Sequence, residues 1–376
     1  MALYIHWPYC ARICPYCDFN VVRDRGRSDE QAALAAAILR DLEAQAALVG
    51  PRRLASIFFG GGTPSLMAPD AVAAVIARAR QLFPPESGIE ISLEANPTDA
   101  EAGRYAALAD AGINRLSMGV QSFDDAALTF LGRDHSADEA RRAVQTAAKI
   151  FPRLSIDLIY ARPGQSVADW TAELTTALDL GFEHISPYQL TIEPTTAFGR
   201  AFARDALIPP DEDLAAALYE ATQMMLEAAG FEAYEVSNHA RGVAARSAHN
   251  LHVWRGGDYL GLGPGAHGRL TLDGVRTATV AHRRIADYVA GVDQGAPWTE
   301  RTSLDAREAA EEQVLLGLRT VEGVSLATLA ALGLNPASNP LADLIADGFL
   351  SLAHGRIAAT ATGRPVLDAV LRALLT

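Results

Sequence analysis

The chain has 376 residues, a formal net charge of −13, and a composition of 49% hydrophobic and 20% charged residues, typical of a globular protein. The negative charge argues against nucleic acid as a partner, because a nucleic-acid surface needs a basic patch, and no apolar run approaches the ~20 residues that span a membrane. Residues 1–9 are too short for a signal peptide and lack its basic start. Cysteines without an export signal therefore predict a cytoplasmic protein.

Strand-like and helix-like stretches alternate from Leu3 to about Leu190. The strand candidates are residues 3–8, 55–60, 89–95, 115–120, 154–160 and 184–191. The helices between them are predicted near 29–49, 69–82, 99–111, 137–149 and 167–180. Ser28 and Gln31 predict a capping box at the start of the first helix, and Gly50 before Pro51 predicts its end. Such β-α units in series imply a parallel sheet with right-handed crossovers, either doubly wound or barrel-like.

All three cysteines follow the first predicted strand, as Cys10, Cys14 and Cys17, in the spacing C-x3-C-x2-C. An odd number of cysteines at such short spacings does not suit disulfides. A structural zinc with His6 as fourth ligand is an alternative, as are three inert thiols. A [4Fe–4S] cluster normally takes four cysteines, so three would leave one iron open to another molecule. Since open coordination marks reactive metal sites, the spacing favours an open [4Fe–4S] cluster.

Polar residues recur where the predicted parallel strands end. The cysteine loop follows the first strand, and the run from Gly60 to Thr63 follows the second. The later strands contain or end at Glu94, Asn96, Gln121, Asp157, Tyr188 and Gln189. A doubly wound sheet would concentrate such residues at its switch point, whereas a barrel collects them at one mouth. The pattern therefore favours an α/β fold with a partial, TIM-like (β/α)6 barrel.

The rest of the chain predicts two further segments. A helix over 211–229 and a strand over 231–236 precede a Gly- and His-rich region, and five of the nine histidines lie at 239, 249, 252, 267 and 282. From about Asp305 the predicted order is helix, helix, helix, hairpin and helix, which suggests a small winged-helix-like α+β domain: 305–319, 325–332, 340–347, 350–353 with 356–360, and 363–375. The predicted helix 340–347 has two aspartates and no basic residue, so packing or partner docking is favoured over DNA binding. The predicted domains are 1–210, 211–300 and 301–376.

The cysteine spacing after a short first strand resembles the radical S-adenosylmethionine (SAM) superfamily. In that superfamily the open iron of the cluster binds the amino and carboxylate groups of SAM, and an electron from the cluster cleaves SAM to a 5′-deoxyadenosyl radical. The resemblance assigns Cys10, Cys14 and Cys17 to the cluster. It assigns SAM contacts to Tyr4, Tyr16, Gly61, Gly62, Thr63, Glu94, Gln121, Arg133 and Asp157.

Structural alternatives stand beside several of these SAM contacts. The glycines suit any tight β-α turn, Tyr4 suits a core, and Asp157 suits a loop cap. Glu94 could pair with Arg115, and Arg133 could form a surface salt bridge with Asp134 or Asp138. The chain departs from the superfamily group at residues 161–165, where Ala-Arg-Pro-Gly-Gln replaces the usual Gly-Leu-Pro-Gly-Gln, and the sequence alone offers no physical role for Arg162.

Within the superfamily the chain resembles the group of oxygen-independent coproporphyrinogen III oxidases and HemW-type heme chaperones. The oxidases carry a further cysteine two positions after the third, where this chain has Phe19, and a longer N-terminal lead. Residues 249–254 (His-Asn-Leu-His-Val-Trp) resemble the chaperone signature H-N-x-x-Y-W, with Val253 in place of tyrosine. Imidazole is a common axial ligand of heme iron, so the resemblance makes His249, His252 and Trp254 candidates for heme binding. A hydrogen-bonded structural role is the alternative for each histidine.

The resemblance implies a heme chaperone that carries a SAM-bound [4Fe–4S] cluster. It would pass heme to acceptor hemoproteins, which can be membrane-associated, and would need an electron donor; a homodimer is compatible with the family. The alternatives are oxidative decarboxylation of coproporphyrinogen III to protoporphyrinogen IX, or radical SAM chemistry on another substrate. No catalytic residue is assigned, and turnover of SAM is left open.

Overall fold

The parallel strands predicted from the sequence form the centre of one large sheet. The computed structural model describes residues 1–375, with residues 99 and 100 described by their backbone alone. The strands are β1 (Ala2–Trp7), β2 (Tyr9–Cys10), β3 (Val22–Arg23), β4 (Leu54–Gly61), β5 (Pro85–Ala95), β6 (Arg115–Gln121), β7 (Arg153–Tyr160), β8 (His184–Gln189), β9 (Glu232–Ala233), β10 (His239–Ala240), β11 (Tyr259–Leu262), β12 (His267–Leu272), β13 (Val275–Ala281), β14 (Trp298–Ser303), β15 (Val324–Ser325), β16 (Leu350–Ala353) and β17 (Arg356–Ala359).

The strand order agrees with a partial barrel. Twelve strands lie in the order β14-β13-β12-β11-β1-β4-β5-β6-β7-β8-β10-β9. From β1 to β8 the neighbours are parallel and follow one another in chain order, as successive β-α units with crossovers of one hand require. The predicted α/β fold with six parallel barrel strands is therefore confirmed.

Helices connect these strands. They are α1 (Ser28–Val49), α2 (Pro69–Leu82), α3 (Asp99–Ala102), α4 (Tyr105–Asp110), α5 (Asp125–Phe130), α6 (Ala137–Ile150), α7 (Val167–Leu178), α8 (Ala197–Phe202), α9 (Glu212–Ala228), α10 (Ala248–Trp254), α11 (Ile285–Asp293), α12 (Ala306–Gly317), α13 (Leu326–Ala331), α14 (Asn339–Ala346) and α15 (Leu367–Leu375). Within residues 1–375, no helix has the length and apolar character needed to cross a membrane.

Three local predictions differ from the structure. The capping box is wrong, because Ser28 is already the first residue of α1 and the side chain of Gln31 donates to Asp24 Oδ1 at 2.9 Å instead. The predicted helix 99–111 is divided into α3 and α4. The predicted strand 231–236 keeps only Glu232 and Ala233, since the chain then leaves the sheet and Glu235 forms an isolated bridge with Thr320.

Alternate residues of the parallel strands face two different environments. Leu3 and Ile5 of β1 are fully buried in the same hydrophobic core as Leu34 and Ile38 of α1. The intervening positions point the other way, because successive side chains of a strand alternate between faces. These positions line a cavity on the inner face of the sheet: Tyr4, Phe58, Glu94, Ser117, Asp157 and Ser186.

The His-rich region extends the barrel sheet. β11 pairs in parallel with β1, on the side opposite β4, so a seventh parallel strand joins the six that were predicted. β12, β13 and β14 continue from β11 as an antiparallel meander. At the other edge β10 pairs antiparallel with β8. The region from residue 211 to 300 thus forms both edges of the sheet.

The C-terminal segment has a core of its own. β15, β17 and β16 form a three-stranded antiparallel sheet. Val314, Leu329, Leu341, Ile357 and Leu371, from four helices and one strand, belong to one buried cluster. Helices and strands follow the winged-helix-like order predicted from the sequence. The exact domain boundaries at residues 210 and 300 stay a prediction.

Candidate cluster and ligand site

The cysteine loop begins where β1 ends and is held by the short parallel pair of β2 and β3. Cys10 is the last residue of β2, and the backbone N–H of Cys17 donates to the carbonyl of Cys14 at 3.2 Å. All three thiols are free and line one cavity of about 450 Å³. Burial raises the pKa of Cys10 to about 11 and also raises the pKa of Cys17. The raised pKa values favour the protonated thiols of Cys10 and Cys17, and binding a metal cluster would displace their protons.

The glycine run after β4 packs directly against this loop. Gly62 N–H donates to the carbonyl of Trp7 and Thr63 N–H to that of Tyr9, both at 2.8 Å. Gly61 has φ +108°, and a Cβ there would lie 2.6 Å from the ring of His6. Both conditions require glycine. Gly61, Gly62 and Thr63 all line the cysteine cavity, so the tight turn and the exposure to a ligand coincide.

Two acidic side chains lie on the wall between the cysteine cavity and its neighbour. Glu94 accepts a hydrogen bond from Gly61 N–H at 3.2 Å, while the ion pair of Arg115 is made with Glu90 at 3.9 Å. Burial raises the pKa of Glu94 to about 7, and nearby Asp157 adds to the effect. Burial likewise raises the pKa of Asp157 to about 6. These carboxyl groups line both cavities and can act as hydrogen-bond partners of a ligand.

Arg133 reaches the cysteines instead of the surface. Its Nη1 lies 3.2 Å from Cys14 Sγ, and its Nη2 donates to the carbonyl of Gly119 at 3.0 Å and to Asn96 Oδ1. Of the two carboxylates suggested as surface partners, Asp138 pairs with Arg141 at 2.9 Å, and Asp134 Oδ1 lies 3.9 Å from His135 Nδ1. Arg133 is therefore a cationic wall of the cysteine cavity, beside the predicted cluster ligands.

Asn96 was named at a strand end but was not among the predicted contacts. Its side chain connects Arg133 with Thr63 Oγ1, to which Nδ2 donates at 3.1 Å. The signal that could have identified it is its place directly after β5, level with the other polar strand ends. Gln121, which was predicted, also lines this cavity and has a left-handed backbone with φ +66°.

The two predicted aromatic contacts lie in different places. Tyr16 lines the cysteine cavity, and its ring lies 6.3 Å from that of Phe198. Tyr4 lines the neighbouring cavity, and its hydroxyl bonds His6 Nδ1 at 3.0 Å. The other ring nitrogen of His6 bonds the carbonyl of Asn20 at 2.8 Å. Because both nitrogens are engaged, His6 is a poor fourth ligand for a zinc ion.

The neighbouring cavity is larger, about 1020 Å³, a size usual for ligand pockets of the larger kind. It shares a wall with the cysteine cavity, made of seven residues: Asp18, Phe19, Gly61, Glu94, Ser117, Asp157 and Tyr188. Its remaining lining includes aromatic, imidazole and guanidinium groups: Phe58, Trp254, Tyr259, His249, His267, His282, Arg115, Arg283 and Arg284. A flat, partly apolar ligand with acidic substituents would find matching groups here.

The heme-binding candidates behave differently from one another. His249 lines the large cavity, stacks on Phe58 with ring centres 4.9 Å apart, and bonds Ser56 Oγ through Nδ1 at 3.0 Å. Burial lowers its pKa to about 3, so the imidazole is neutral. His252 lies outside the lining and its Nε2 donates to the carbonyl of Asp258 at 2.9 Å. Trp254 lines the cavity, with Arg319 5.3 Å from its ring.

Arg162, for which the sequence alone offers no role, has a structural role in the folded protein. Its guanidinium donates to both carboxylate oxygens of Glu173 in α7, at 3.2 and 2.7 Å, and both residues are buried. The preceding Ala161 has φ +58°. A left-handed residue at this position explains why related sequences place glycine there.

Comparison with known proteins identifies the family. A model of the radical SAM superfamily matches residues 4–175, and a model of the HemN C-terminal domain matches residues 304–366. The chain is 35% identical to heme chaperone HemW of Escherichia coli (strain K12), over 100% of this chain and 98% of that protein. It is 40% identical to radical S-adenosyl methionine domain-containing protein 1, mitochondrial, of Bos taurus, over 100% of this chain and 87% of that protein.

The chain belongs to the radical SAM superfamily, in its HemW group. Its fold is also that of coproporphyrinogen III oxidase (HemN) from Escherichia coli, with a TM-score of 0.82 at 22% identity, covering 100% of this chain and 90% of the other. Superfamily membership implies a [4Fe–4S] cluster and SAM. The residues fit both groups, since three free thiols, the glycine run and Arg133 line one cavity.

Proposed function

We propose that this protein is a cytoplasmic heme chaperone. It binds heme in the large cavity, carries a [4Fe–4S] cluster with SAM in the cysteine cavity, and passes the heme to acceptor hemoproteins. The observation that carries the proposal is the shared wall between the two cavities, in a chain that matches heme chaperone HemW over nearly the full length of both proteins. SAM and heme would thus lie side by side.

In the cysteine cavity, Cys10, Cys14 and Cys17 would hold the cluster, and three ligands would leave one iron open for SAM. The cluster would supply an electron to SAM when it is bound and reduced. The glycine run offers backbone groups to the amino end of SAM, and Arg133 suits a carboxylate because its fork can pair with it bidentately. Glu94, Gln121 and Asp157 are positioned for the rest of the molecule. Tyr16 covers the same cavity, and Tyr4 approaches from the large one.

In the large cavity, His249 is the residue best suited to bind heme iron. Ser56 Oγ can accept a hydrogen bond from Nδ1–H, which leaves the Nε2 lone pair available to a metal. Nε2 has no hydrogen-bond partner among residues 1–375. Phe58, which stacks on His249, and Trp254 line the same cavity and offer aromatic surface to a flat macrocycle. His252 already donates through Nε2, so its role in this proposal is to hold the loop after α10.

The proposal extends to partners that the family suggests. Acceptor hemoproteins, some of them at membranes, would receive the heme, and a separate donor would reduce the cluster. A homodimer agrees with the family. The competing function is decarboxylation of coproporphyrinogen III, because the fold matches an oxidase of that substrate; Phe19, in place of the extra oxidase cysteine, disfavours it.

Anaerobic binding and turnover assays test the proposal. The cluster is reconstituted, SAM and reductant are added, and either heme or coproporphyrinogen III is supplied. We expect stoichiometric heme binding, seen as a shifted Soret band, and no decarboxylated product. His249→Ala should weaken binding and change the iron spectrum, whereas the matched variant His252→Gln should leave both unchanged. Multiple-turnover formation of protoporphyrinogen IX would overturn the chaperone function.

A further inference from the structure

Arg115 is a buried arginine that opens onto the large cavity. It is the first residue of β6 and is 2% exposed. It lies on the cavity-facing side of the strand, two residues before Ser117, and both line the cavity. The mechanism proposed above does not use this side chain.

The side chain of Arg115 lacks a hydrogen-bond partner in the described part of the chain. Its Nε is fully buried and has no partner among the residues that the structure describes. The only carboxylate oxygen within ion-pair distance among residues 1–375 belongs to Glu90, 3.9 Å from Nε, which is too long for a hydrogen bond. A buried guanidinium without partners is costly, and such groups in native proteins normally find one.

Glu90 cannot supply the missing hydrogen bonds, because other donors already occupy it. Arg153 Nη1 donates to its Oε2 at 2.7 Å. The backbone N–H groups of Ala248 and His249 donate to its two oxygens at 3.0 Å each. Glu90 is therefore the counter-charge of Arg153 and the cap of α10, and Arg115 stands beside this group without joining it.

The acidic side chains of the cavity wall do not take this place either. Glu94 accepts from Gly61 N–H, and Asp157 is contacted by Ser117 Oγ; in the described residues neither lies within 4 Å of the Arg115 nitrogens. Burial raises the pKa of both carboxyls, which leaves them less negative near neutral pH. The positive charge of Arg115 thus faces the cavity with its donors available to a ligand.

We propose that Arg115 binds a carboxylate of the ligand in the large cavity. A guanidinium pairs with a carboxylate through two parallel hydrogen bonds. The two Nη atoms of Arg115 can form such bonds, because neither is among the fully buried atoms and neither has a hydrogen-bond partner in the described residues. Two ligands could present that group: a porphyrin through a propionate, and SAM through its α-carboxylate. The porphyrin is the source we assign, since Arg115 lines the large cavity and Arg133 already serves the cysteine cavity. This assignment rests on the proposed function.

The test compares heme with its dimethyl ester, which has the same ring and iron but no free carboxylate. The reconstituted full chain is titrated with heme, heme dimethyl ester and SAM, as wild type, Arg115→Gln, Arg115→Lys and Arg80→Gln. Arg80 is an exposed arginine of α2 that lines neither cavity, and it serves as the control. We expect Arg115→Gln to lose about 10- to 100-fold in heme affinity, the usual effect of losing a charged hydrogen-bonded pair, with ester and SAM affinities unchanged. Arg115→Lys should lose less heme affinity, and Arg80→Gln should leave it unchanged.

The outcomes separate this inference from the proposed function. If heme and its ester weaken equally in Arg115→Gln, the residue is structural and the inference is overturned; unchanged affinities overturn it as well. If the loss falls on SAM, the carboxylate site stands and its source is SAM. If wild type binds SAM but no heme, the proposed function fails, and the SAM titration alone decides the role of Arg115. If Arg115→Gln does not fold, Arg115→Lys decides the question. A smaller ratio of heme to ester affinity than in the wild type supports the inference, and an unchanged ratio overturns it.

Discussion

The two cavities share a wall but differ in how far the protein satisfies its own polar groups. Around the cysteines, the two Nη atoms of Arg133 have three partners, although its Nε is unpaired in the described residues, and the glycine run is bonded to the cysteine loop. Around the large cavity, Arg115 has no side-chain hydrogen bond at all within the described residues, and Phe19, on the wall that both cavities share, is 63% exposed. A wall with most of its bonds already formed is preorganised for one fixed occupant. A wall with unpaired hydrogen-bond donors and exposed aromatic surface suits a ligand that is bound and released.

The largest effect should follow from removing the cluster ligands. Replacing Cys10, Cys14 and Cys17 by alanine should abolish the cluster absorbance after reconstitution, because no other cysteine is present in the chain. Absorbance near the cluster band and iron content measure this. If the comparison of the two cavities holds, ferric heme should still bind the triple variant, since the thiols line only the smaller cavity.

A triple variant that still forms a normal [4Fe–4S] centre would contradict the assignment of the cluster. A triple variant that loses heme binding together with the cluster would contradict the independence of the two cavities, because heme binding would then depend on the cluster.

Gly61→Ala should destabilise the protein, because the preorganised wall has no room for a methyl group. The new Cβ would lie 2.6 Å from the His6 ring, which two hydrogen bonds hold in place, at a φ of +108°. Strain and overpacking together should cost about 2–4 kcal/mol in the free energy of unfolding. Anaerobic denaturant titration of the protein without added ligands measures this cost.

Gly230→Ala is the control, since its φ is +80° but a Cβ there meets nothing within 4 Å. It should cost about 1 kcal/mol, the contribution of the backbone alone. Equal costs in the two variants would mean that the His6 ring moves aside and that this wall is less rigid than we describe.

The shared wall should make stability depend on pH. Burial raises the pKa of Glu94 from 4.5 to about 7, so between these values the unfolded chain is ionised while the folded protein keeps the proton. The unfolded state then binds fewer protons, and stability falls as pH rises through this window. Across the whole window Glu94 alone should account for about 3 kcal/mol, at roughly 1.36 kcal/mol per pKa unit.

Glu94→Gln keeps the shape and removes the titration. The difference in unfolding free energy between variant and wild type, measured at pH 5 and pH 7.5 without ligand, reports the titration of Glu94 together with its interaction with Asp157, while groups distant from Glu94 cancel. We expect the free energy of unfolding of the variant, relative to that of the wild type, to be higher at pH 7.5 than at pH 5. A difference that does not change with pH would show that Glu94 is ionised in the folded protein.

The barrel strands could be predicted from the local periodicity of the sequence. The large cavity could not, because it depends on contacts between residues distant in sequence. Leu3 and Ile5 alternate with Tyr4 and His6, so both faces of β1 follow from its pattern. The placement of β11 rests on Tyr259 pairing with Ala2, which no local signal encodes. The failed capping box and the unpaired Arg115 have the same cause, since each is decided by what a side chain meets in three dimensions.

Phe19→Ala should have the smallest effect on the free energy of unfolding and a clear effect on heme affinity. This result would strengthen the distinction between the two cavities. Because the ring is 63% exposed, its loss should change the unfolding free energy by less than about 0.5 kcal/mol. Stacking on a macrocycle would bury the ring, so heme affinity should fall about 10-fold.

Phe202→Ala is the control, because Phe202 is 49% exposed and lies outside both cavities. Heme titration and the cluster spectrum, recorded on the same samples, decide the matter: a loss of heme affinity with an unchanged cluster assigns Phe19 to the ligand side of the wall. A changed cluster spectrum with unchanged heme affinity would assign Phe19 to the cysteine cavity. The exposure of its ring would then give no evidence for heme binding.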